Sequence, residues 1–425
     1  MTFDNLRLKS YNDFMAKIIN VIKGTKDILP QDVECWHRLE EKALEVFTKY
    51  GYKEIRTPIF EATELFARGV GDTTDIVNKE MYTFEKSDRS LTLRPENTAG
   101  VVRSFIENGM ARLSAPVKLW YKGPMFRYER PQAGRQRQFH QIGVEMFGSE
   151  DASADADCIY TAVKFFKSVG LQNLSVEINS LGCNDCRDKF RAKLKALIEP
   201  HIDSLCEDCK KRFETNPLRI LDCKNPDCKE IFEKNKILEN LSKLDLCDEC
   251  SDHYEKLKSY LDMLNVKYVE NPFLVRGLDY YTRTVFEVKS ENLGSQNAVC
   301  GGGRYDNLVE TLGGPHVPAV GWAVGMERLY SLTEKVEEQK LDYFVVSDNI
   351  KEALKLANEL RSKDKTAELD YSSRKFAKQI EKAGKLANFA VIVGENELEQ
   401  GTFTVKNLNT FEQQSVNREE FLKSL

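Results

Sequence analysis

No stretch of this 425-residue chain approaches the ~18–20 consecutive apolar residues that a bilayer-crossing helix needs. Its first residues, MTFDNLRLKSYNDFMAKIINVIKG, carry a charge every few positions and lack the apolar core of a secretory signal. Both absences predict a soluble, cytoplasmic protein with no membrane partner. An excess of basic charge is also missing: 62 Lys and Arg stand against 67 Asp and Glu, a net charge of −5. That counts against a histone-like protein or a sliding clamp, but not against one that reaches nucleic acid through a local basic patch. There is no G-x-x-x-x-G-K-[S/T], so phosphates are not cradled by a Walker-type loop. Internal repeats and low-complexity tracts are absent as well.

What is present is 41% hydrophobic and 30% charged residues, enough apolar material for the cores of two or three domains. There are 11 cysteines, and eight of them crowd between residues 183 and 250, which marks that stretch as a module of its own. In a cytoplasmic protein such cysteines stay reduced or hold metal.

Residues 31–50 place Trp36, Leu39, Ala43, Phe47 and Tyr50 at helical spacing, with Gly51 where a C-cap glycine belongs. The extended run 52–60 follows, and Pro58 confines it to a sheet edge. This helix and strand offer an oligomer contact; an ordinary surface helix and strand is the alternative. Residues 117–147 read as two strands around a polar loop. In the second strand Ile142, Val144 and Met146 share one face while Gln141, Gly143 and Glu145 share the other, giving one buried and one working side. The window Val117–His140 holds six Lys and Arg against one acid, the densest basic stretch in the chain. Residues 271–331 return to strands and glycine turns, with a helix beginning near Met326. Residues 332–340 are a polar connector, and 341–425 alternate strands and helices as a compact α/β domain with a mostly parallel sheet.

Gly301-Gly302-Gly303-Arg304 has no nucleotide-binding spacing and reads by itself as a tight turn. A bound nucleotide therefore needs arginine, whose planar fork pairs bidentately with phosphate or carboxylate. The candidates are Arg94, Arg127, Arg130, Arg135, Arg276, Arg304 and Arg328. Arg127 ends a strand, Arg276 precedes Gly-Leu-Asp-Tyr-Tyr, and Arg328 starts a helix, so several charges can point into one cleft.

LTLRPENTAG (91–100), MFRYERPQAGRQRQFHQIGVEMFG (125–148), LVRGLDYYTRTVFEV (274–288), GGGRYDNL (301–308) and AVGWAVGMERL (319–329) together resemble the histidyl-tRNA synthetase family. The resemblance runs from Lys23 through GTKDILP to the C-terminus. The class I synthetase marks H-I-G-H and K-M-S-K-S are both absent, in agreement with class II. The resemblance implies an α+β protein: a class II synthetase antiparallel-sheet catalytic domain with a cysteine-rich insertion, plus a C-terminal α/β anticodon-binding domain. The expected boundaries are an N-terminal extension over 1–20, the catalytic domain over 21–182 and 271–331, the insertion over 183–270, the linker 332–340 and the anticodon-binding domain over 341–425.

It further implies a histidine–tRNA ligase that uses ATP and Mg²⁺ to make histidyl-adenylate and passes histidine to tRNA(His), working as a homodimer. Arg276 and Arg127 would be catalytic, with Arg276 on the α-phosphate and the histidine carboxylate. Arg127, Glu129, Arg135 and Arg328 would bind ATP. Glu96, Asn97, Thr98, Gln141, Glu145, Tyr280 and Tyr281 would bind histidine. Glu145 and a tyrosine hydroxyl suit the imidazole, and Glu96 and Gln141 the α-ammonium, because a pocket that bonds both ring nitrogens rejects analogues lacking one. Arg130 and Gln132 would grip the tRNA acceptor end, and the C-terminal domain the anticodon arm. Asn97 stands where the family's R-P-E-G-T has glycine. Asparagine tolerates positive φ, which predicts that the backbone is kept.

The clustered cysteines fall as Cys183-x2-Cys186, Cys206-x2-Cys209, Cys223-x4-Cys228 and Cys247-x2-Cys250. Such spacing suits two Cys₄ sites for structural zinc, and four pairs can combine in three ways. Cys35, Cys158 and Cys300 are expected to be buried and inert. Two rival functions are a catalytically silent paralogue that regulates ATP phosphoribosyltransferase and a pure RNA-binding or zinc-scaffold protein with no enzymology. Arg127, Arg276, Arg328 and residues 341–425 count against the first, and the intact arginine and histidine-pocket set against the second.

Overall fold

In the computed structural model the described residues are 19–71, 74–130, 135–221, 223, 225–241, 246–290, 298–334, 339–372 and 374–425. Contacts divide the chain into two units, Met1–Lys335 and Val336–Leu425.

The first unit is built on an eight-stranded sheet. Its strands run in the order Lys53–Glu54, Val117–Phe126, Gln138–Phe147, Ala319–Gly325, Ala298–Arg304, Thr282–Ser290, Leu174–Ser180 and Tyr268–Glu270. Only the two outermost pairings are parallel; all inner ones are antiparallel. The alternation along Gln138–Phe147 is realised: Ile142, Val144 and Met146 enter the main core. There they meet Trp36, Leu39 and Phe47 of the helix Pro30–Lys49, and Phe165 and Phe166 of the helix Ala152–Ser168. Trp322, directly opposite Val144, packs against Phe47, Phe165 and Phe166 and donates its indole N–H to the Cys158 carbonyl at 3.1 Å. The other face of the sheet is closed at one end by Val101, Val102 and Phe105 of the helix Thr98–Glu107, leaving the rest for a site.

The 52–60 run forms the short parallel edge strand Lys53–Glu54, then Phe60–Ala62 of a separate three-stranded sheet; Pro58 lies between them, outside either ladder. The triple glycine departs from the turn expected of it. Gly301, Gly302 and Gly303 lie inside the central strand Ala298–Arg304, paired on both sides. A side chain on Gly301 would collide with the Arg276 guanidinium, and one on Gly303 with the Thr284 carbonyl and the Tyr281 ring. Close approach of neighbours, not chain reversal, is what requires glycine here.

The two stretches of this unit on either side of residues 183–247 are joined by a buried polar knot. Arg304 and Asp155, both fully buried, form an ion pair at 2.6 Å. Asp155 also pairs with His253 Nε2 at 2.7 Å and accepts the Thr284 hydroxyl at 2.7 Å, while Arg304 reaches Asp306 at 3.0 Å. Arg304 and Arg94 thereby leave the set of candidate phosphate ligands. Arg94 is buried on the carbonyls of Pro124 and Thr57 and on the Asn97 amide oxygen.

The second unit carries a five-stranded sheet ordered Ala367–Leu369, Leu341–Val346, Ala387–Ile392, Thr402–Asn407, Gln413–Asn417. It is mixed rather than mostly parallel. The first three strands are parallel; Thr402–Asn407 reverses against Ala387–Ile392, and Gln413–Asn417 pairs antiparallel with it across a short turn.

Arg304→Ala strands Asp155 as a buried carboxylate without its guanidinium, which costs about 3–5 kcal/mol in comparable pairs. Urea unfolding of the variant is expected to show its first transition at clearly lower denaturant; an unshifted midpoint would remove that role from the knot.

Candidate functional site

On the open face of the large sheet lies a cavity of about 200 Å³, lined by Glu96, Thr98, Arg127, Gln141, Glu145, Arg276, Tyr280 and Tyr281 together with Tyr121 and Tyr305. Eight residues named from the sequence thus converge from four segments far apart in the chain. The strand parity explains Gln141 and Glu145, since both point away from the core that Ile142, Val144 and Met146 fill.

The cavity wall is rich in acceptors. Glu96, one residue before the N-cap of the helix Thr98–Glu107, accepts the backbone N–H groups of Thr98 at 2.7 Å and Ala99 at 2.9 Å. It so satisfies two of the orphan donors of that helix end and is locked in place. Glu145 is fully buried. It accepts the Thr98 hydroxyl at 2.7 Å and, through its other oxygen, the Tyr305 hydroxyl. Burial raises the Glu96 carboxyl above its usual range. Burial, with the Glu96 charge adding to it, pushes Glu145 up to about 8 against the bonds from Tyr305 and Thr98. The Gln141 amide oxygen and the Tyr121 hydroxyl are buried here without a hydrogen-bond partner. Two carboxyl groups and an orphaned amide oxygen are the complement of a ligand with several N–H donors and a positive charge.

Arginines stand at the rim. Arg127 donates Nε to the Pro95 carbonyl at 2.8 Å and lies over the Phe139 ring. Arg276 lies across Gly301 and is ion-paired with Glu287. Arg135 pairs with Glu129 at 3.1 Å. Arg328, in the helix Met326–Leu332, has its charged form disfavoured first by burial and then by the Arg135 charge. Two cations that repel each other beside a pocket are a place for a polyanion.

The remaining expectations divide. Glu129, Arg135 and Arg328 do not line the cavity but flank it through these contacts. Arg130 is exposed, and Gln132 lies outside the described residues. Asn97 is the N-cap of its helix at φ −122°, so its place calls for no positive φ. Its side chain turns to the Thr57 hydroxyl at 2.6 Å and to Arg94, not into the cavity. Tyr121 and Tyr305 join the cavity from outside the set that the sequence points to, although Tyr305 sits inside GGGRYD beside Arg304 and Tyr121 follows the period of its strand.

The eight clustered cysteines form two quartets, Cys183–Cys186–Cys247–Cys250 and Cys206–Cys209–Cys223–Cys228, each with all sulfurs within 4.8 Å of one another. Of the three pairings open to the sequence, one is adopted. Cys35, Cys158 and Cys300 are buried and unbridged. Each quartet is a donor set able to hold a metal ion.

Residues 24–329 match the family model for histidyl-tRNA synthetase, and residues 333–425 match that for an anticodon binding domain. A histidine–tRNA ligase from Desulforamulus reducens is 48% identical over 410 residues, covering 94% of this chain and 97% of that protein. The solved apo histidyl-tRNA synthetase of S. aureus is 40% identical with a TM-score of 0.78, covering 96% of this chain and 99% of that one. A Bacillus halodurans structure described as an ATP phosphoribosyltransferase regulatory subunit/histidyl-tRNA synthetase shares the fold, at TM-score 0.62 and 23% identity, covering 89% of this chain and 98% of that one.

Glu145 generates a pH prediction. The folded protein keeps this proton up to about pH 8, whereas the unfolded chain releases it near 4.5. The group's contribution to stability is therefore complete below about 4.5 and is lost as pH rises through about 8. Without ligands, the melting temperature of wild type is expected to fall from pH 6 to 9 more steeply than that of Glu145→Gln. Parallel profiles would mean that Glu145 is ionised throughout.

Proposed function

The chain belongs to the histidyl-tRNA synthetase family, and from that premise we propose how its own residues divide the work. The protein is a histidine–tRNA ligase. It activates L-histidine with ATP, then transfers the histidyl group to the 3′ end of tRNA(His). In the first step a histidine carboxylate oxygen attacks the α-phosphorus and pyrophosphate leaves. In the second a terminal ribose hydroxyl attacks the acyl carbon and AMP leaves.

Glu96, Gln141 and Glu145 bind the ammonium and the imidazole, with Thr98, Tyr280 and Tyr281 completing the pocket. The observation that carries this is the convergence of Glu96, Glu145 and the unpartnered Gln141 oxygen on one cavity. Glu145, protonated at neutral pH while the pocket is unliganded, gains an ionising partner when an N–H of the ligand arrives. Arg276 neutralises the α-phosphate and the histidine carboxylate, which would otherwise repel each other as they approach. Arg127, Arg135, Glu129 and Arg328 position the triphosphate. Asn97 acts from behind, by holding Thr57 and Arg94, and not as a ligand.

The family works with ATP and Mg²⁺, an ion that takes oxygen ligands and phosphates. Glu80 and Glu129 fit it. Burial and then the Glu129 charge raise Glu80, so this carboxylate pair gains from a cation that comes with the nucleotide and neutralises phosphate charge.

Arg130 and Gln132 are assigned to the acceptor end of the tRNA and the second unit to the anticodon arm, in a cytoplasmic enzyme. The homodimer is assigned to the helix Pro30–Lys49 and the Pro58 segment. Exposed Leu44, Ile59 and Phe60 support it with apolar surface.

Each quartet is assigned a structural zinc ion. Sulfurs around tetrahedral zinc at ~2.3 Å stand ~3.8 Å apart. Cys183 and Cys186 stand at 3.6 Å, and Cys206 and Cys223 at 3.9 Å. The backbone N–H groups of Cys183, Cys247 and Cys206 each donate to a quartet sulfur at 3.2 Å, as thiolate ligands require.

ATP–pyrophosphate exchange without tRNA is expected with L-histidine alone among the twenty amino acids. Arg276→Ala should lower it by a factor on the order of 100 or more while leaving the fold intact. Exchange with another amino acid would overturn the pocket, and near-normal turnover of the variant would reassign Arg276. Protein purified without chelator should contain about two zinc ions per chain; less than half an equivalent would remove zinc from both quartets.

A further inference from the structure

The loop from Arg276 to Tyr281 carries three of the ligand groups yet belongs to no strand or helix. Its tyrosine end is held from outside. Arg187, one residue past Cys186 on the helix Asn184–Ile198, donates Nη1 to the Tyr281 carbonyl at 2.9 Å and to the Asp279 carbonyl at 3.4 Å. Its Nη2 donates to the Asn184 amide oxygen at 2.9 Å, so the side chain spans from its own first turn to the loop. Next to it Arg283 donates its N–H to the Gly182 carbonyl at 2.8 Å, and Leu181 donates to the Arg283 carbonyl at 2.6 Å. Residues 281–283 thus lie against the chain that runs into Cys183.

The two quartets differ in what they join. Cys209, Cys223 and Cys228 sit within the hydrophobic core of the insertion itself. The other quartet lies between two bodies. Cys183 is the N-cap of the helix Asn184–Ile198, whose Phe190, Leu194 and Ile198 belong to the insertion core. Cys247 is the N-cap of the helix Asp248–Met263, whose Leu257 and Leu261 belong to the main core under the large sheet. His253 of the same helix pairs with Asp155. One quartet staples the insertion, and the other bolts it to the catalytic core directly beside Arg187.

We propose that Arg187 is a positioning residue for the histidine subsite, fixed by zinc at the Cys183–Cys186–Cys247–Cys250 quartet. This rests on the zinc reading given above. The tetrahedral site sets the first turn of the helix, that turn sets the Arg187 backbone, and the guanidinium sets the carbonyls of Asp279 and Tyr281. The Tyr280 and Tyr281 rings follow into the cavity. Arg276, at the other end of the loop, is held separately by Glu287 and against Gly301, and Arg127, Arg135 and Arg328 stand on other elements, so the effect falls on histidine more than on ATP.

The test is ATP–pyrophosphate exchange by Arg187→Ala, Arg187→Lys and Cys247→Ser, with zinc content and melting temperature measured on each. Arg187→Ala is expected to raise the KM for histidine by roughly tenfold or more, with the KM for ATP and kcat within about threefold of wild type. It should keep both zinc ions, and Arg187→Lys should recover part of the loss through a single donor. Cys247→Ser, at an exposed position, should lose one zinc ion and show the same rise in histidine KM although Arg187 is intact. A folded, fully metallated Arg187→Ala with unchanged histidine KM overturns the positioning role. Cys247→Ser that loses a zinc ion without a change in histidine KM overturns the metal's part in it. A wild-type protein without zinc overturns the zinc reading alone, and Arg187→Ala then still decides the positioning role.

Discussion

The buried pair Arg304–Asp155 is the contact on which the large sheet depends. The sheet is assembled from chain segments on both sides of a long excursion, so no local turn sets the register between its halves. Asp155 comes from before the excursion, His253 from its last helix, and Thr284 and Arg304 from the strands after it. A carboxylate out of water tolerates few arrangements, because each unmet lone pair costs more than a met one returns. The knot therefore selects the arrangement in which four distant segments meet, and the cavity opens on the opposite face of the sheet so aligned.

That cavity owes its depth to residues without side chains. Gly301 and Gly303 let Arg276 and Tyr281 lie flat on the sheet, and Gly321 leaves the space that the Glu145 carboxylate occupies. The ligand groups are held by partners that are themselves held. Glu96 is fixed by helix N–H groups, Glu145 by Thr98 and Tyr305, and the Tyr280–Tyr281 loop by Arg187. A pocket of acceptors edged by arginines suits a reaction in which a cationic amino acid and a polyanionic nucleotide must meet at one phosphorus. Burial raises Glu96 and Glu145 because the pocket was built to face charge and not water.

Much of this was legible in the chain. Period-two alternation put Gln141 and Glu145 on one face, and the motifs around Glu96, Arg127, Arg276 and Tyr281 pointed to one chemistry. Other residues were opaque for stated reasons. The triple glycine read as a turn because glycine is ambiguous by itself; only the Arg276 and Tyr281 side chains pressed against the strand reveal why it is there. Arg94 and Arg304 looked like ligands because arginine on a strand or loop looks alike whether its partner is a phosphate or Asp155. The role of Asn97 is hidden in the chain because its partner Thr57 lies 40 residues away.

The sequence by itself determined the composition of the parts: the cysteine spacing, the alternating strands, the class of chemistry and the arginines available for it. These are properties of neighbours in the chain, and short-range spacing records them. Only the tertiary structure decided which cysteine pairs form each quartet, which arginines are tied up in buried pairs, and that Tyr121, Tyr305 and Arg187 attend the site. Those outcomes depend on burial and on partners brought together from far along the chain, and no local pattern encodes the distance between them.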